Sequence, residues 1–328
     1  MATAPSAAER TAKHESQKCE SQKHESRERE GKGVKARRAR AGKVNPSRLK
    51  SRLTEPEAWK GPAIQPVEEW VEEARSYLAP ALPYPVKISL TLGSGLGPVR
   101  GAFETLRAFP YGEIPHFPVS TVAGHRGELV VAKHGSRRLI ILDGRVHRYE
   151  GYSWSQVTLP ARVLHALGVT TMILTNASGA VSPGLKPGDI LLIQDHIDLM
   201  WKGVAGVSKG PQALRRPYYS KRMTDLVQET AIAKGIAVKR GVLLATTGPA
   251  YETKREVEFA RKLGADSVTM STVPEVTVCH ELGVSVIGLS LITNVAASHA
   301  GGHAKVVDFA ETASRNLREL VLGVLEVI

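Results

Sequence analysis

Several short segments of this chain carry groups that could be delivered to one bound anion. Gly93-Ser94-Gly95-Leu96-Gly97 follows directly on the apolar, β-favouring run Ile88-Ser89-Leu90-Thr91-Leu92. Glycines at alternate positions allow positive φ and inward-turned N–H groups, and Ser94 adds a hydroxyl donor, so the loop reads as a phosphate cradle. Its spacing matches neither the G-x-G-x-x-G dinucleotide fingerprint nor a G-K-[ST] ending. In Asp143-Gly144-Arg145-Val146-His147 the two basic side chains lie two residues apart, so in an extended segment they point the same way and could grip one anion. Thr175-Asn176-Ala177-Ser178-Gly179-Ala180 again sets small polar residues after an apolar run, with backbone N–H groups to offer. Gly248-Pro249-Ala250-Tyr251-Glu252-Thr253 sets an aromatic ring beside a carboxylate at an expected helix start, where Glu252 could equally be a first-turn acid favoured by the helix dipole. Leu291-Ile292-Thr293-Asn294 closes another apolar run. Each segment alone has a structural explanation.

The elements that must carry them follow from periodicity. Residues 67–78 have the spacing of an amphipathic helix, and apolar runs at 88–92, 128–132, 139–142, 171–174, 190–193, 241–245 and 284–291 read as buried strands. Helical patterns cover 154–167, 223–235 and 251–263. Strands alternating with helices imply an α/β domain with a central mixed, largely parallel sheet flanked by helices on both faces. Ligands in such sheets bind where strand C-terminal ends open into loops, and the polar segments above sit at those ends.

Composition narrows the class. With 42% hydrophobic residues in 328, the chain can bury a large core, and no apolar run reaches the roughly 18 residues of a membrane helix, so we expect a soluble, cytoplasmic protein. Cys19 and Cys279 stand far apart without metal-ligand spacing, so neither a disulfide framework nor a metal site is expected. The net charge of +12 raises nucleic acid as a partner, but residues 1–50 hold 14 Lys/Arg against six Glu, a net of +8. The basicity is therefore mostly that of a polar tail, 1–53, which lacks the apolar residues to fold and reads as disordered. A linker at 54–65 leads to a catalytic domain at 66–328. The cluster Lys35-Ala36-Arg37-Arg38-Ala39-Arg40 could make a weak contact with RNA or an anionic surface. No aromatic residues interleave its charges to stack bases, which favours a solvated tail or an upstream start-site artefact.

In combination and in this order the segments resemble the trimeric purine nucleoside phosphorylases. Besides those already quoted, the matching motifs are Gly124-His125, Gly151-Tyr152, Gly188-Asp189-Ile190, Asp195-His196-Ile197, Leu263-Gly264-Ala265-Asp266 and Met270-Ser271-Thr272-Val273-Pro274-Glu275. The resemblance spans about 66–328 and implies a homotrimer that cleaves 6-oxopurine nucleosides with phosphate as co-substrate and without metal or organic cofactor, giving free purine and a pentose 1-phosphate. It further implies that Ser94, His125, Arg145, His147, Ala177 (through its backbone) and Ser271 surround phosphate, and that Tyr149, Met270 and His303 meet the sugar. Tyr251, Glu252, Val268, Thr293 and Asn294 would surround the purine. His147, Glu252 and Asn294 would be the catalytic groups.

The chain departs from the family pattern at Thr269, where glycine is usual and a side chain is expected to crowd sugar or base, and at Ser178, where alanine is common. In 210–219, Arg216 stands where a phenylalanine normally enters the neighbouring subunit's sugar pocket, with Tyr218 as a shifted substitute. A methylthioadenosine phosphorylase is the nearest rival, opposed by Asn294 in place of Asp and Ser271 in place of Thr. An inactive homologue that binds nucleic acid through its tail is the rival of another class, opposed by the near-balanced charge of the folded part.

Overall fold

The structure is a computed structural model that describes residues 67–82, 85–122, 124–200, 217–298 and 303–328, with side chains from 313 in the last segment. The tail and linker expectations fall outside these residues.

Nine strands form one sheet: β1 (Ile88–Leu92), β2 (Glu104–Pro110), β3 (Glu128–His134), β4 (Arg137–Asp143), β5 (Thr171–Ala180), β6 (Ile190–Asp198), β7 (Val238–Ala245), β8 (Ser267–Thr269) and β9 (Ser285–Val295). Their order is β2-β3-β4-β1-β5-β8-β7-β6-β9, and β9 also pairs with β5. The second half of the sheet thus closes into a five-stranded ring, from which β1, β4, β3 and β2 extend as an open wing. Pairing is parallel for β1 with β4 and β5, β5 with β9, and β7 with β6 and β8. It is antiparallel for β2 with β3, β3 with β4, β5 with β8, and β6 with β9. The sheet is mixed, as expected, with five parallel pairings and four antiparallel ones among the described residues.

Helices α1 (Val67–Leu78), α2 (Trp154–Ala166), α3 (Lys221–Ala233), α4 (Lys254–Lys262), α5 (Val273–Glu281) and α6 (His303–Val327) complete the fold. Side chains alternate across a strand, so a continuous apolar run feeds two cores. Leu129, Val131, Ile140, Leu142, Met172 and Leu174 pack with α1, α2 and α5 on one face. Val130, Ala132, Leu139, Ile141 and Ile173 pack with α3 and α6 on the other.

Four elements have no counterpart among the sequence expectations: β2, β8, α5 and α6. Most of β2 is exposed, and β8 has only three residues, too few for a period. In α5, VPEVTVCHE is buried nearly all round, so no amphipathic stripe marks it. The helix expected at 251–263 begins later, at Lys254. Thr253 is its N-cap, with Oγ1 accepting from Glu256 N and Glu256 Oε2 accepting from Thr253 N. Glu252 precedes that cap and is not a first-turn acid.

Candidate active site

The cradle after β1 forms for reasons that differ among its glycines. A side chain at Gly93 would put Cβ 2.8 Å from Asn176 Cα and 2.9 Å from the Thr175 carbonyl, so only glycine lets the loop lie against β5. Gly95 takes φ +77°. Gly97 opens a short 3-10 turn, Gly97–Ala102, and is absent from the positive-φ residues, so the alternate-glycine expectation holds at Gly95 alone. Ser94 Oγ lies 2.9 Å from His125 Nε2, while His125 Nδ1 lies 2.7 Å from the Arg145 carbonyl. A carbonyl can only accept, so Nδ1 carries the proton and a neutral His125 receives the Ser94 hydroxyl at Nε2. Burial holds the His125 pKa below the ordinary histidine value. His125 belongs to the site through Ser94 and does not itself line the cavity.

After β4 the chain turns through Gly144 at φ +112°, where a Cβ would sit 2.7 Å from that of His125. This close approach brings Arg145 and His147 inward, both buried. Arg145 Nη1 donates to Ser271 Oγ at 3.1 Å and to Thr272 Oγ1 at 3.0 Å, and Nε lies 3.4 Å from Glu275 Oε1. Nη2 is buried without a hydrogen-bond partner. His147 Nδ1 donates to Glu150 Oε1 at 2.9 Å, which leaves Nε2 as an acceptor. Glu150 is pinned in turn by the backbone N–H groups of Thr121 and His147, at 2.7 Å each. Burial outweighs the pull of Glu150 on His147, and with the Arg145 charge it brings the imidazole pKa down to about 4. For Glu150 itself the donors outweigh burial, and its pKa is lowered. The His147 ring stacks on His125 at 5.7 Å and on Tyr149 at 4.8 Å.

Ser94, Arg145, His147 and Tyr149 share one cavity of about 180 Å³ with Ala177, Tyr251, Glu252, Val268, Thr269, Met270, Ser271, Thr293 and Asn294. Of the residues expected at the site whose side chains are described, only His125 is not on its wall. His303 begins α6, but its side chain lies outside the described residues. Glu252 Oε1 accepts from Thr246 Oγ1 at 3.2 Å, and Asn294 Oδ1 accepts from Thr293 Oγ1 at 3.0 Å while its amide nitrogen donates to the Val295 carbonyl at 3.4 Å, the limit of a hydrogen bond. Gly248 has no room for a side chain because Met270 Sδ and the Tyr149 ring occupy that space.

The hydroxyls of the two departures from the family pattern are both engaged within the sheet. Thr269 is buried and donates its hydroxyl to the Ala177 carbonyl at 3.1 Å, spending its polar end on β5. Ser178 Oγ accepts from Ser290 Oγ at 2.6 Å within the sheet. Arg216 lies outside the described residues. Tyr218 packs on His196 and His280 at 4.7 and 4.5 Å, away from the cavity of its own chain. Asn176, Glu150, Thr272 and Glu275 belong to the site without having been singled out. The last two had a readable signal, since T-x-x-E before an apolar run is a capping box, and Thr272 and Glu275 form one at the start of α5.

Residues 87–326 match the model of the phosphorylase superfamily. The chain is 44% identical over 232 residues to purine nucleoside phosphorylase 1 of Geobacillus stearothermophilus, covering 69% of this chain and 85% of the relative. It is 39% identical to purine nucleoside phosphorylase 1 of Bacillus subtilis, over 79% of this chain and 98% of that one. The chain belongs to the purine nucleoside phosphorylase family. Its fold matches a solved structure of isoform 2 of the Schistosoma mansoni purine nucleoside phosphorylase, in complex with cytosine and ribose-1-phosphate. That match has a TM-score of 0.71 at 34% identity and covers 79% of this chain and 96% of the other. Within this family the cavity described above is the candidate active site. Among the described residues no helix is long and apolar enough to cross a membrane.

Proposed function

We propose that this member of the family cleaves the N-glycosidic bond of 6-oxopurine nucleosides, inosine and guanosine and their deoxy forms, with phosphate, giving free purine and (deoxy)ribose 1-phosphate. The observation that carries this reading is the sharing of one cavity by an anion-holding set, Ser94, Arg145, His147 and Ser271, and a carboxylate and amide, Glu252 and Asn294. In this reading the Ala177 N–H joins the anion set, and Tyr149, Met270 and His303 hold the sugar. Tyr251, Val268 and Thr293 complete the purine surroundings.

Phosphate attacks the anomeric carbon as the bond to N9 breaks, the pair of electrons in that bond leaves with the base, and the purine anion takes up a proton from solvent. His147 Nε2 accepts a hydrogen bond from a protonated phosphate oxygen, and Arg145 and Ser271 orient the remaining oxygens. The positive charge that develops on the sugar is stabilised by the phosphate itself, so positioning and electrostatics supply the acceleration. Asn294 donates to O6 or N7 of the departing purine, and Glu252 accepts from N1–H. The chemistry needs no metal or organic cofactor. We also infer a cytoplasmic homotrimer in which the loop around Arg216 and Tyr218 closes a neighbour's sugar pocket. Sedimentation that finds a fully active monomer counts against that assembly.

The activity is tested by a phosphate-dependent assay over a panel of nucleosides. Inosine and guanosine are expected to react, and pentose 1-phosphate to appear in equal amount with the base. Base release that does not depend on phosphate overturns the proposal.

A further inference from the structure

Thr272 has no part in the chemistry just described and does not line the cavity, yet directly behind the wall residue Ser271 it holds an uncomfortable backbone. It is a β-branched residue at φ +72°, ψ −49°, and it is completely buried. A threonine in that region is disfavoured, and such conformations persist where the surroundings over-determine them. The surroundings here are the groups that would hold phosphate. Thr272 Oγ1 receives Arg145 Nη1 at 3.0 Å and Asn176 Nδ2 at 2.8 Å. Its own N–H is held by Glu275 Oε2 at 3.0 Å, and the other oxygen of the same carboxylate faces Arg145 Nε.

The hydrogen bonds have a direction. A guanidinium and an amide nitrogen are donors only, so both acceptor positions of the Thr272 hydroxyl are filled and its proton must go outward. Ser271 Oγ, 3.2 Å away, is the acceptor within reach. Ser271 Oγ already accepts from Arg145 Nη1 at 3.1 Å, so its acceptor positions are filled as well. Thr269 Oγ1 stands 3.4 Å from Ser271 Oγ, at the limit of a hydrogen bond, and gives its own proton to Ala177. Thr269 Oγ1 can therefore only accept from Ser271, and this contact at 3.4 Å is the weak one from which the Ser271 proton can turn to an anion, while Arg145 Nη2 has no hydrogen-bond partner.

We infer that Thr272 is a positioning residue of the phosphate subsite: its hydroxyl turns Arg145 and Ser271 so that the free ends of both donate to the anion. This rests on the reading that Arg145 and Ser271 hold phosphate, and the test separates the two.

The test uses Thr272→Ser, Thr272→Val, Thr272→Gly and Arg145→Ala. Steady-state KM is measured for phosphate and for inosine, with calorimetric titration of inorganic phosphate into each free protein. Thr272→Val and Thr272→Gly are expected to raise the phosphate KM about tenfold or more, because buried donors lose their acceptor, while the inosine KM stays within about twofold. Thr272→Ser, which keeps the hydroxyl, restores the phosphate KM to within about threefold of wild type. Glycine adopts φ +72° without strain, so Thr272→Gly tests the hydroxyl even where valine upsets the turn. A folded Thr272→Gly with the wild-type phosphate KM overturns the inference, and so does a parallel rise in both KM values. If Arg145→Ala binds phosphate like wild type, the phosphate reading itself falls and takes the inference with it.

Discussion

Arg145 and Tyr251 line the same cavity, yet Arg145 is 6% exposed and held by Ser271, Thr272 and Glu275, whereas Tyr251 is 81% exposed. The contrast extends to their neighbours. Ser94, His125, His147, Glu150 and Thr272 are joined by hydrogen bonds that set tautomers and proton directions in the protein by itself. Glu252 and Asn294 each have one neighbouring hydroxyl, from Thr246 and Thr293. Groups held in place in advance need little reorganisation when charge arrives, so the proposed anion side, where the Ser94 proton has only to turn from His125, is the more preorganised, and the proposed base side is left to be ordered by its ligand. The two sides should therefore fail differently when altered.

The largest effect is expected at Arg145. In Arg145→Ala the phosphate subsite loses its guanidinium, and kcat/KM for phosphate should fall on the order of 10²–10³-fold. The inosine KM should move by less than about threefold. The Glu275 carboxyl, whose pKa burial already raises, is left without its cation, which costs about 3 kcal/mol of stability. Denaturant melts and two-substrate kinetics measure both. Equal losses for the two substrates would erase the distinction between the sides.

Acid should strike the anion side next. His147 stays neutral in the native protein down to about pH 4, whereas in the unfolded chain it takes up a proton near 6.5. Between these values the unfolded state binds more protons, so the contribution to stability is complete above pH 6.5 and is lost as pH falls towards 4. Its size is about 3 kcal/mol at most. Melts of wild type and His147→Gln between pH 7 and 4 measure it, and the variant should lose less stability over that range. Parallel curves would mean that His147 does not carry the acid sensitivity.

The same contrast explains what could be read from the sequence. The sheet was legible because its strands are apolar on both faces, as in Leu139-Ile140-Ile141-Leu142, where alternate residues enter the two cores. The ring formed by β5 and β9 with β6, β7 and β8 was not, because strand runs carry no record of closure and Ser267–Thr269 is too short to announce itself. On the anion side, side chains of distinctive type at fixed spacing, such as Arg145 and His147, pointed to the cavity. Thr272 acts through a tertiary hydrogen bond and Glu275 through an ion pair, both to Arg145 more than a hundred positions away, and only their capping-box spacing was visible. At Thr269 a missing glycine signals bulk but not the direction of the hydroxyl, which here is fixed by the Ala177 carbonyl.

On the base side, Asn294→Asp should change which base is accepted. Hypoxanthine and guanine present N1–H to Glu252 and acceptors at O6 and N7 to the Asn294 amide, whose oxygen is engaged by Thr293. Adenine turns the 6-position into a donor and N1 into an acceptor, leaving buried polar groups mispaired. An aspartate supplies the acceptor that the amino group lacks and opposes O6. The ratio of kcat/KM for inosine to that for adenosine should fall on the order of 10²-fold. An unchanged ratio would remove Asn294 from the role of base reader.

The smallest effect, and the sharpest separation of the two sides, is expected at Tyr251. A side chain that is 81% exposed adds little to the core, so Tyr251→Ala should leave folding stability within about 0.5 kcal/mol. What it removes is an aromatic face beside Glu252, worth about 1 kcal/mol when a flat ring packs against it. The inosine KM should therefore rise about fivefold, while the phosphate KM, set by Arg145, Ser271 and Thr272, should not change. Tyr251→Phe keeps the face and should behave as wild type. A phosphate KM that rises with the inosine KM would show that the base side helps order the anion side, and the division drawn between Arg145 and Tyr251 would not hold.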